Sequence, residues 1–328
     1  MNHRRKFLVA GAAGSLSVLL PAFAQLEKRL RRIGFLSLSS AQTAASWLAA
    51  FRQGMLELRW VDGRDYTIDA RYADGVAQDA PPLAAELVAT QPDLLLATAD
   101  ESVRLLAQRT KTIPIVFAIA QDPVGNGNAA SLQRPGGNAT GLTSLARDLS
   151  AKRLQLLKEA FPRVVQVVLL FEPGNVGSVS QAKQIEEAAP RLGMRITAIE
   201  LRQPEDIEPA LKRGAELGVQ AYIVTQGGVI NSQRRAIAER IVRLKVPASF
   251  SDDQYVEAGG LMSYSASNRD NFRRAATYVD KIFKGAKPAE LPIEQPVKFE
   301  LVLNQKTARA MGLKFPQSII LQADRVIE

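Results

Sequence analysis

Short apolar runs alternate with segments of helical periodicity along nearly all of the chain beyond residue 32. Ile33-Gly34-Phe35-Leu36 reads as a strand that runs into the polar loop Ser37-Leu38-Ser39-Ser40. Over residues 43–58, Trp47, Leu48, Phe51, Met55 and Leu58 recur at helical spacing and predict a helix with one buried face. Residues 66–72 alternate as a strand, 82–90 are helical, 94–97 form a continuous apolar strand, and 115–117 another. A helix over 100–108 sits between the last two strands, and Asp100 is of the type that caps helices. This βαβα order predicts a parallel sheet covered by helices.

The pattern then repeats. Strands are predicted at 165–171, 195–201, 222–224 and 248–250, with helices at 179–192, 205–217 and 231–244 between them. Lys111-Thr112-Ile113-Pro114-Ile115-Val116-Phe117 in the first half resembles Arg243-Leu244-Lys245-Val246-Pro247-Ala248-Ser249-Phe250 in the second, about 130 residues on. The halves are separated by the turn cluster Gln133-Arg134-Pro135-Gly136-Gly137-Asn138 and a short strand at 139–142. After a second transition at 259–264 come a helix over 269–283, a stretch where Pro288, Pro292 and Pro296 forbid helix, a strand at 298–303 and a helix at 305–311. The expected fold class is α/β: two Rossmann-like lobes, each a parallel sheet flanked by helices, joined by a hinge. Lobe 1 is expected to comprise residues 30–142 plus about 265–295, and lobe 2 residues 143–264. The segment 296–328 carries no lobe assignment. The hinge is expected near Leu142 and Tyr264, with Pro296 as a third crossing.

Residues 1–24 stand outside this alternation. A basic start (Arg4, Arg5, Lys6) precedes an uncharged apolar stretch and the small-residue motif Ala22-Phe23-Ala24, the grammar of an export signal cleaved after Ala24. Leu8 to Leu20 would span about 20 Å as a helix, short of the roughly 30 Å of a bilayer core. Arg4-Arg5-Lys6-Phe7-Leu8 fits a twin-arginine signal, although His3 and Val9 depart from it; an ordinary secretory signal is the alternative. The expected location is the periplasm.

Cleavage would remove three basic residues, lowering Lys plus Arg from 42 to 39 against 33 acids and the net charge from +9 to +6. The remaining basic pairs, Lys152-Arg153, Arg234-Arg235 and Arg273-Arg274, are scattered and not interleaved with aromatics, so nucleic acid is not an expected partner. The chain has no cysteine, and its one histidine is His3. The mature chain therefore has no Ser-His-Asp or Cys-His nucleophile system, no His/Cys zinc site, and no cysteine for a lipid anchor. No metal and no cofactor are expected, and a monomer is. Carboxylate chemistry stays open: an exported enzyme using Asp122 with Glu172 or Asp252 is the alternative to a binding protein.

Ligands of open parallel sheets bind beyond the carboxyl ends of the strands. The polar residues predicted there are Ser37, Ser39, Ser40, Thr98, Asp100, Gln121 and Asp122 in the first half, and Glu172, Asn175, Ser178, Thr225, Gln226, Ser251 and Asp252 in the second. Hydroxyls and helix amides suit a carboxylate, and acids suit an ammonium, so the set matches a zwitterion. Each such Ser, Thr or Asp is equally well explained as a helix N-cap. Trp47 and Phe51 read as core residues. Gly125-Asn126-Gly127 and Gly227-Gly228 match neither a dinucleotide fingerprint nor a P-loop.

Several motifs carry a resemblance: Ile33-Gly34-Phe35-Leu36-Ser37, Phe51-Arg52-Gln53-Gly54-Met55, Ile113-Pro114-Ile115-Val116-Phe117 with Asp122-Pro123-Val124, and Arg134-Pro135-Gly136-Gly137-Asn138-Ala139-Thr140-Gly141. Glu257-Ala258-Gly259-Gly260-Leu261-Met262-Ser263-Tyr264 and Lys298-Phe299-Glu300-Leu301-Val302-Leu303-Asn304 extend it. Together they resemble the ABC-transporter substrate-binding family that includes tryptophan- and tyrosine-type binding proteins. The resemblance implies a type I periplasmic-binding-protein fold that closes on a small solute, an amino acid or related carboxylate, and hands it to an ABC permease. A sensor partner in the membrane is a further reading on the same fold. Ser265 stands where glycine usually follows the tyrosine, and Phe171-Glu172-Pro173-Gly174-Asn175 where Asn-Pro-Asn is common.

Overall fold

The computed structural model describes residues 29–328; the expected export signal with its expected cleavage site, and His3, lie outside the described residues. The first sheet is built from β1 (Arg31–Ser37), β2 (Tyr66–Tyr72), β3 (Leu94–Ala97), β4 (Ile115–Ala120) and β5 (Ala139–Thr143). Its order is β2-β1-β3-β4-β5, with every neighbouring pair parallel. Helices α1 (Ala41–Glu57), α2 (Ala80–Ala89) and α3 (Asp100–Arg109) connect the strands. β3 and β4 are buried along their whole length, which is why their sequences read as unbroken apolar runs.

The chain next forms α4 (Ser150–Ala160), β6 (Gln166–Phe171), α5 (Val176–Ala188), β7 (Arg195–Glu200), α6 (Ile207–Glu216) and β8 (Ala221–Val224). After them come α7 (Gly228–Ser232), α8 (Arg234–Arg243), β9 (Ala248–Phe250), α9 (Asp253–Glu257) and β10 (Met262–Ala266). α10 (Asn268–Phe283) leads to β11 (Phe299–Asn304), α11 (Gln305–Met311), α12 (Gln317–Gln322) and β12 (Arg325–Ile327). The second sheet has the order β12-β11-β10-β9-β8-β6-β7. Only β10 and β11 pair antiparallel. The C-terminal segment thus extends the second sheet, with α12 and Phe315 packed into its core.

α10 returns to the first lobe and lies against α1. The two backbones approach so closely at Gly54 that a Cβ there would overlap the Arg273 carbonyl. Phe272 of α10 is fully buried and stacks on Trp47 of α1, ring centroids 5.5 Å apart. The chain therefore passes between the sheets beyond β5, beyond β10, and between Glu294 and β11. Leu142 lies inside β5 and Tyr264 inside β10, so the passages fall a few residues further along. β5 keeps Thr143 in the first sheet, and β10 keeps Ser265 and Ala266 in the second. The first and third passages run side by side: Thr143 N donates to Glu294 O at 2.9 Å, and Glu294 N to Gly141 O at 3.0 Å.

Several elements depart from the predicted pattern: α9, β10, α12 and β12 are not in it, and two further departures have a clear cause. α4 is absent from it because the helix starts at Leu149 without a side-chain cap and buries a charge, Arg153, on its apolar face. The predicted helix 231–244 is broken at Gln233 into α7 and α8, which sets Asn231 and Arg234 at the junction.

Candidate functional site

In each sheet one strand has sequence neighbours on opposite sides. β1 lies between β2 and β3, and β6 between β7 and β8. Connections leaving such a switch point diverge to the two faces and leave a crevice at the carboxyl ends. The loops after β1, β3 and β4 face those after β6 and β8, and a cavity of about 30 Å³ remains between them. From the first lobe it is lined by Leu38, Ser39, Trp47, Thr98, Ile119 and Gln121; from the second by Asn175, Gln226, Gly228 and Asn231. Two neighbouring cavities, of about 80 and 160 Å³, share Glu101 and Asn175 with it, so these two side chains stand where the three meet.

The lobes touch directly. Gln181 Nε2 donates to Gln121 Oε1 at 2.8 Å. Thr43 Oγ1 donates to Asn231 O at 3.4 Å, and Arg234 donates to Thr43 Oγ1. A Cβ on Gly177 would overlap the Gln121 amide, and one on Gly228 would come within 3.3 Å of Leu38 Cβ. This is a closed arrangement. Behind it, Arg153 is fully buried and forms no ion pair among the described residues. Its Nη2 donates to Ala146 O, to Ser150 Oγ and to Gln181 Oε1 at 2.5, 2.8 and 3.1 Å, and burial pushes its pKa down to about 9. A hydrogen-bonded path therefore runs from the first crossover through Arg153 and Gln181 to Gln121 in the opposite lobe.

Of the residues expected at the strand ends, Ser39, Thr98, Gln121, Asn175 and Gln226 line the central cavity. Asn175 also caps α5, accepting from Ser178 N at 2.9 Å. Other members are used inside their own lobe. Ser37 Oγ accepts from Ser39 N, and Ser40 Oγ caps α1 by accepting from Thr43 N. Ser178 Oγ accepts from Glu172 N and bonds Thr225 Oγ1 at 2.6 Å. Ser251 is buried, and its carbonyl accepts from Gln226 Nε2 at 3.1 Å.

The acids behave likewise. Asp100 is not the cap of α3, which is Ala99. Its carboxylate instead accepts from Gln121 N at 2.6 Å and so fixes the loop that carries Gln121; burial pushes its pKa up. Asp122 accepts from Gly125 N at 2.9 Å and pairs with Arg147 at 3.4 Å. Asp252 caps α9 by accepting from Gln254 N at 2.9 Å; burial, then the neighbouring Asp253 charge, push it up to about 7. Glu172 is buried at the start of α7, accepts from Val229 N at 3.0 Å, and is pushed up to about 7 by burial. A carboxyl in that position is partly neutral at physiological pH.

The residues that the strand-end rule misses are Leu38, Trp47, Glu101, Ile119, Gly228 and Asn231. Trp47 is core and cleft wall at once: it stacks on Phe272 and also lines the cavity. It lies in the second turn of the helix that leaves the switch strand, a position that faces the crevice, and that was the available signal. Glu101 is held by Arg104 Nε at 2.7 Å. The wall is thus amides, hydroxyls and one indole, with a single already paired acid. Side-chain amides donate and accept, and an indole adds apolar area, so such a wall suits a small polar solute with an apolar part. Among the described residues no group of three or more His, Cys, Asp or Glu could hold a metal ion, and no helix is long and apolar enough to cross a membrane.

Residues 40–327 match the family model described as ABC transporter substrate binding protein. The chain belongs to that family. Among its relatives is the tyrosine-binding protein of Clostridioides difficile (strain R20291), 21% identical over 290 residues, which covers 88% of this chain and 83% of the relative. Among solved structures, a conserved domain protein from Vibrio cholerae superposes with a TM-score of 0.84 at 23% identity, over 91% of this chain and all of the other. An ABC domain in complex with L-Trp from Streptococcus pneumonia gives 0.83 at 24% identity over the same shares, 91% and 100%. These likenesses establish the two-lobed fold of ABC substrate-binding proteins, and the Clostridioides difficile relative is named for binding rather than for catalysis.

Proposed function

We propose that this substrate-binding protein is the periplasmic solute receptor of an ABC importer and takes an amino acid, or a related small carboxylate, between its lobes. One observation carries the reading: a cavity at both switch points is walled by Trp47 and by side-chain amides from both lobes, and cross-lobe hydrogen bonds close it. A solute that touches Gln121 on one side and Gln226 or Asn175 on the other binds the closed form better than the open one, and that difference drives closure. The names of the relatives, tyrosine-binding and L-Trp-bound, support an amino acid, and Trp47 supports an apolar or aromatic side chain on it. Export by the leading 24 residues, release after Ala24, action as a monomer and delivery to a permease in the inner membrane complete the proposal.

A thermal-shift screen of L-amino acids and small carboxylates tests it. A ligand at 100 times its Kd stabilises by about 2.7 kcal/mol, visible at roughly 2–4 °C per kcal/mol. Asn175→Ala and Gln226→Ala should each weaken binding, and the solute should be recovered unchanged on denaturation. Turnover of a bound candidate, or full affinity in both variants, would overturn the assignment.

A further inference from the structure

A larger cavity lies outside the cleft. It is open, about 480 Å³ in volume, and also walled by both lobes: Gln42, Thr43 and Ser46 on α1, and Ser232, Arg234 and Gln254 on the second lobe. The contact of Thr43 with Asn231 and Arg234 separates it from the cleft. The volume is that of a small-molecule site.

Its charge is unbalanced in one direction. Arg234 is the first residue of α8, Arg235 the second, and the first turn of that helix holds no acid. A helix N-terminus is already electropositive, so two arginines there concentrate positive potential where helices ordinarily carry anions. Arg235 is paired with Glu239 at 2.8 Å, but Arg234 forms no ion pair among the described residues. The acid on the rim, Glu257, is taken by Arg269 and by Arg325. Asp252, the acid within electrostatic range of Arg234, is pushed up by burial and by the Asp253 charge, and its carboxylate already accepts from Gln254 N and from the Asn268 amide. Independently, Gln254 is 5% exposed, and its Nε2 has no hydrogen-bond partner; Ser46 Oγ, on the opposite wall, has none either. Buried donors are rarely left unmatched, and an unmatched one on a cavity wall is free to meet a ligand.

We propose that this cavity is a second solute site, taking a small organic carboxylate with the Arg234 guanidinium as its counter-charge and Gln254 and Ser46 as hydrogen-bond donors. A guanidinium binds a carboxylate through two parallel N–H groups, which gives orientation as well as attraction. Because the walls belong to both lobes, an occupant favours the closed form, and the two sites are linked: carboxylate raises affinity in the cleft, and cleft ligand raises affinity for carboxylate by the same factor.

The test is titration calorimetry of the mature chain with succinate, and separately with inorganic phosphate. Saturable succinate binding is expected at millimolar concentration or below, weakened at least about tenfold in Arg234→Ala and unchanged in Arg240→Ala, on the same helix but outside the cavity. Gln226→Ala should leave succinate binding in place, which separates this site from the cleft assignment. No saturation, or equal loss in Arg240→Ala, would overturn the proposal. Phosphate binding as tight as succinate would overturn the organic carboxylate as its ligand.

Discussion

Gly177→Ala should separate folding from closure. Gly177 lies in the first turn of α5 and is buried against the opposite lobe, where an added Cβ would lie 2.6 Å from Gln121 Nε2 and overlap the rest of that amide. Within its own lobe the methyl is neutral or favourable, since alanine is better than glycine in a helix by up to about 1 kcal/mol. In the closed form Gln121 must turn away and lose its bond to Gln181. A hydrogen bond of this kind contributes about 0.5–1.5 kcal/mol net, and an off-rotamer side chain costs about as much again. The closed form is then disfavoured by about 1–3 kcal/mol, or roughly 5–150-fold in the affinity of a ligand that requires closure. The chain has no cysteine, so Gln78→Cys and Gln203→Cys, exposed on opposite sides of the cleft mouth, can carry a fluorophore pair. The variant should show lower transfer efficiency and a higher Kd for L-tryptophan or L-tyrosine, with an apo Tm equal to or above that of the parent. Unchanged transfer and unchanged affinity, or a large fall in apo Tm, would refute the reasoning.

Two further perturbations address the lobes. Glu172 has its pKa raised from an ordinary 4.5 to about 7 by burial, so folding favours the protonated form. Its contribution is fully present below about pH 4.5 and lost as pH rises through about 7, about 3 kcal/mol at 1.36 kcal/mol per unit. Urea melts should therefore find Glu172→Gln close to the parent at pH 4 and more stable at pH 8; the same difference at both pH values would contradict the assignment. Gly141 in β5 has φ +151, and a Cβ there would lie 2.7 Å from Phe117 N and overlap the Phe117 carbonyl. Gly141→Ala should cost at least about 3 kcal/mol by circular-dichroism melts, whereas Gly137→Ala, with open space around it, should change stability by less than about 1 kcal/mol.

The alternation of buried strands with amphipathic helices was legible because the interior of a parallel sheet demands it. Leu94–Ala97 and Ile115–Ala120 have no solvent face, so nothing polar interrupts them. α4 was not legible, because Arg153 occupies a position in its buried face; the carbonyl of Ala146, the Ser150 hydroxyl and the Gln181 amide, the last 28 residues away in sequence, make that burial tolerable. At the site, the strand-end rule found Gln121, Gln226 and Asn175 but could not distinguish them from Ser178 or Asp252. A polar side chain at a strand end either turns inward to cap a helix or outward to the cleft, and the choice depends on the loop opposite.

The sequence by itself determined the two α/β halves, a chain with no cysteine and with His3 as its one histidine, and the family. Local periodicity and composition are enough for these. Tertiary structure decided the rest. It set β11 antiparallel to β10 and so gave the C-terminal segment to the second sheet. It placed Trp47 between core and cleft, turned Glu172 into a half-neutral buried acid, and left Arg234 hydrogen-bonded to Thr43 and Asn231 with no ion pair among the described residues. Each depends on groups far apart in sequence that meet only when both sheets have formed, because desolvation and pairing are properties of the space around a residue.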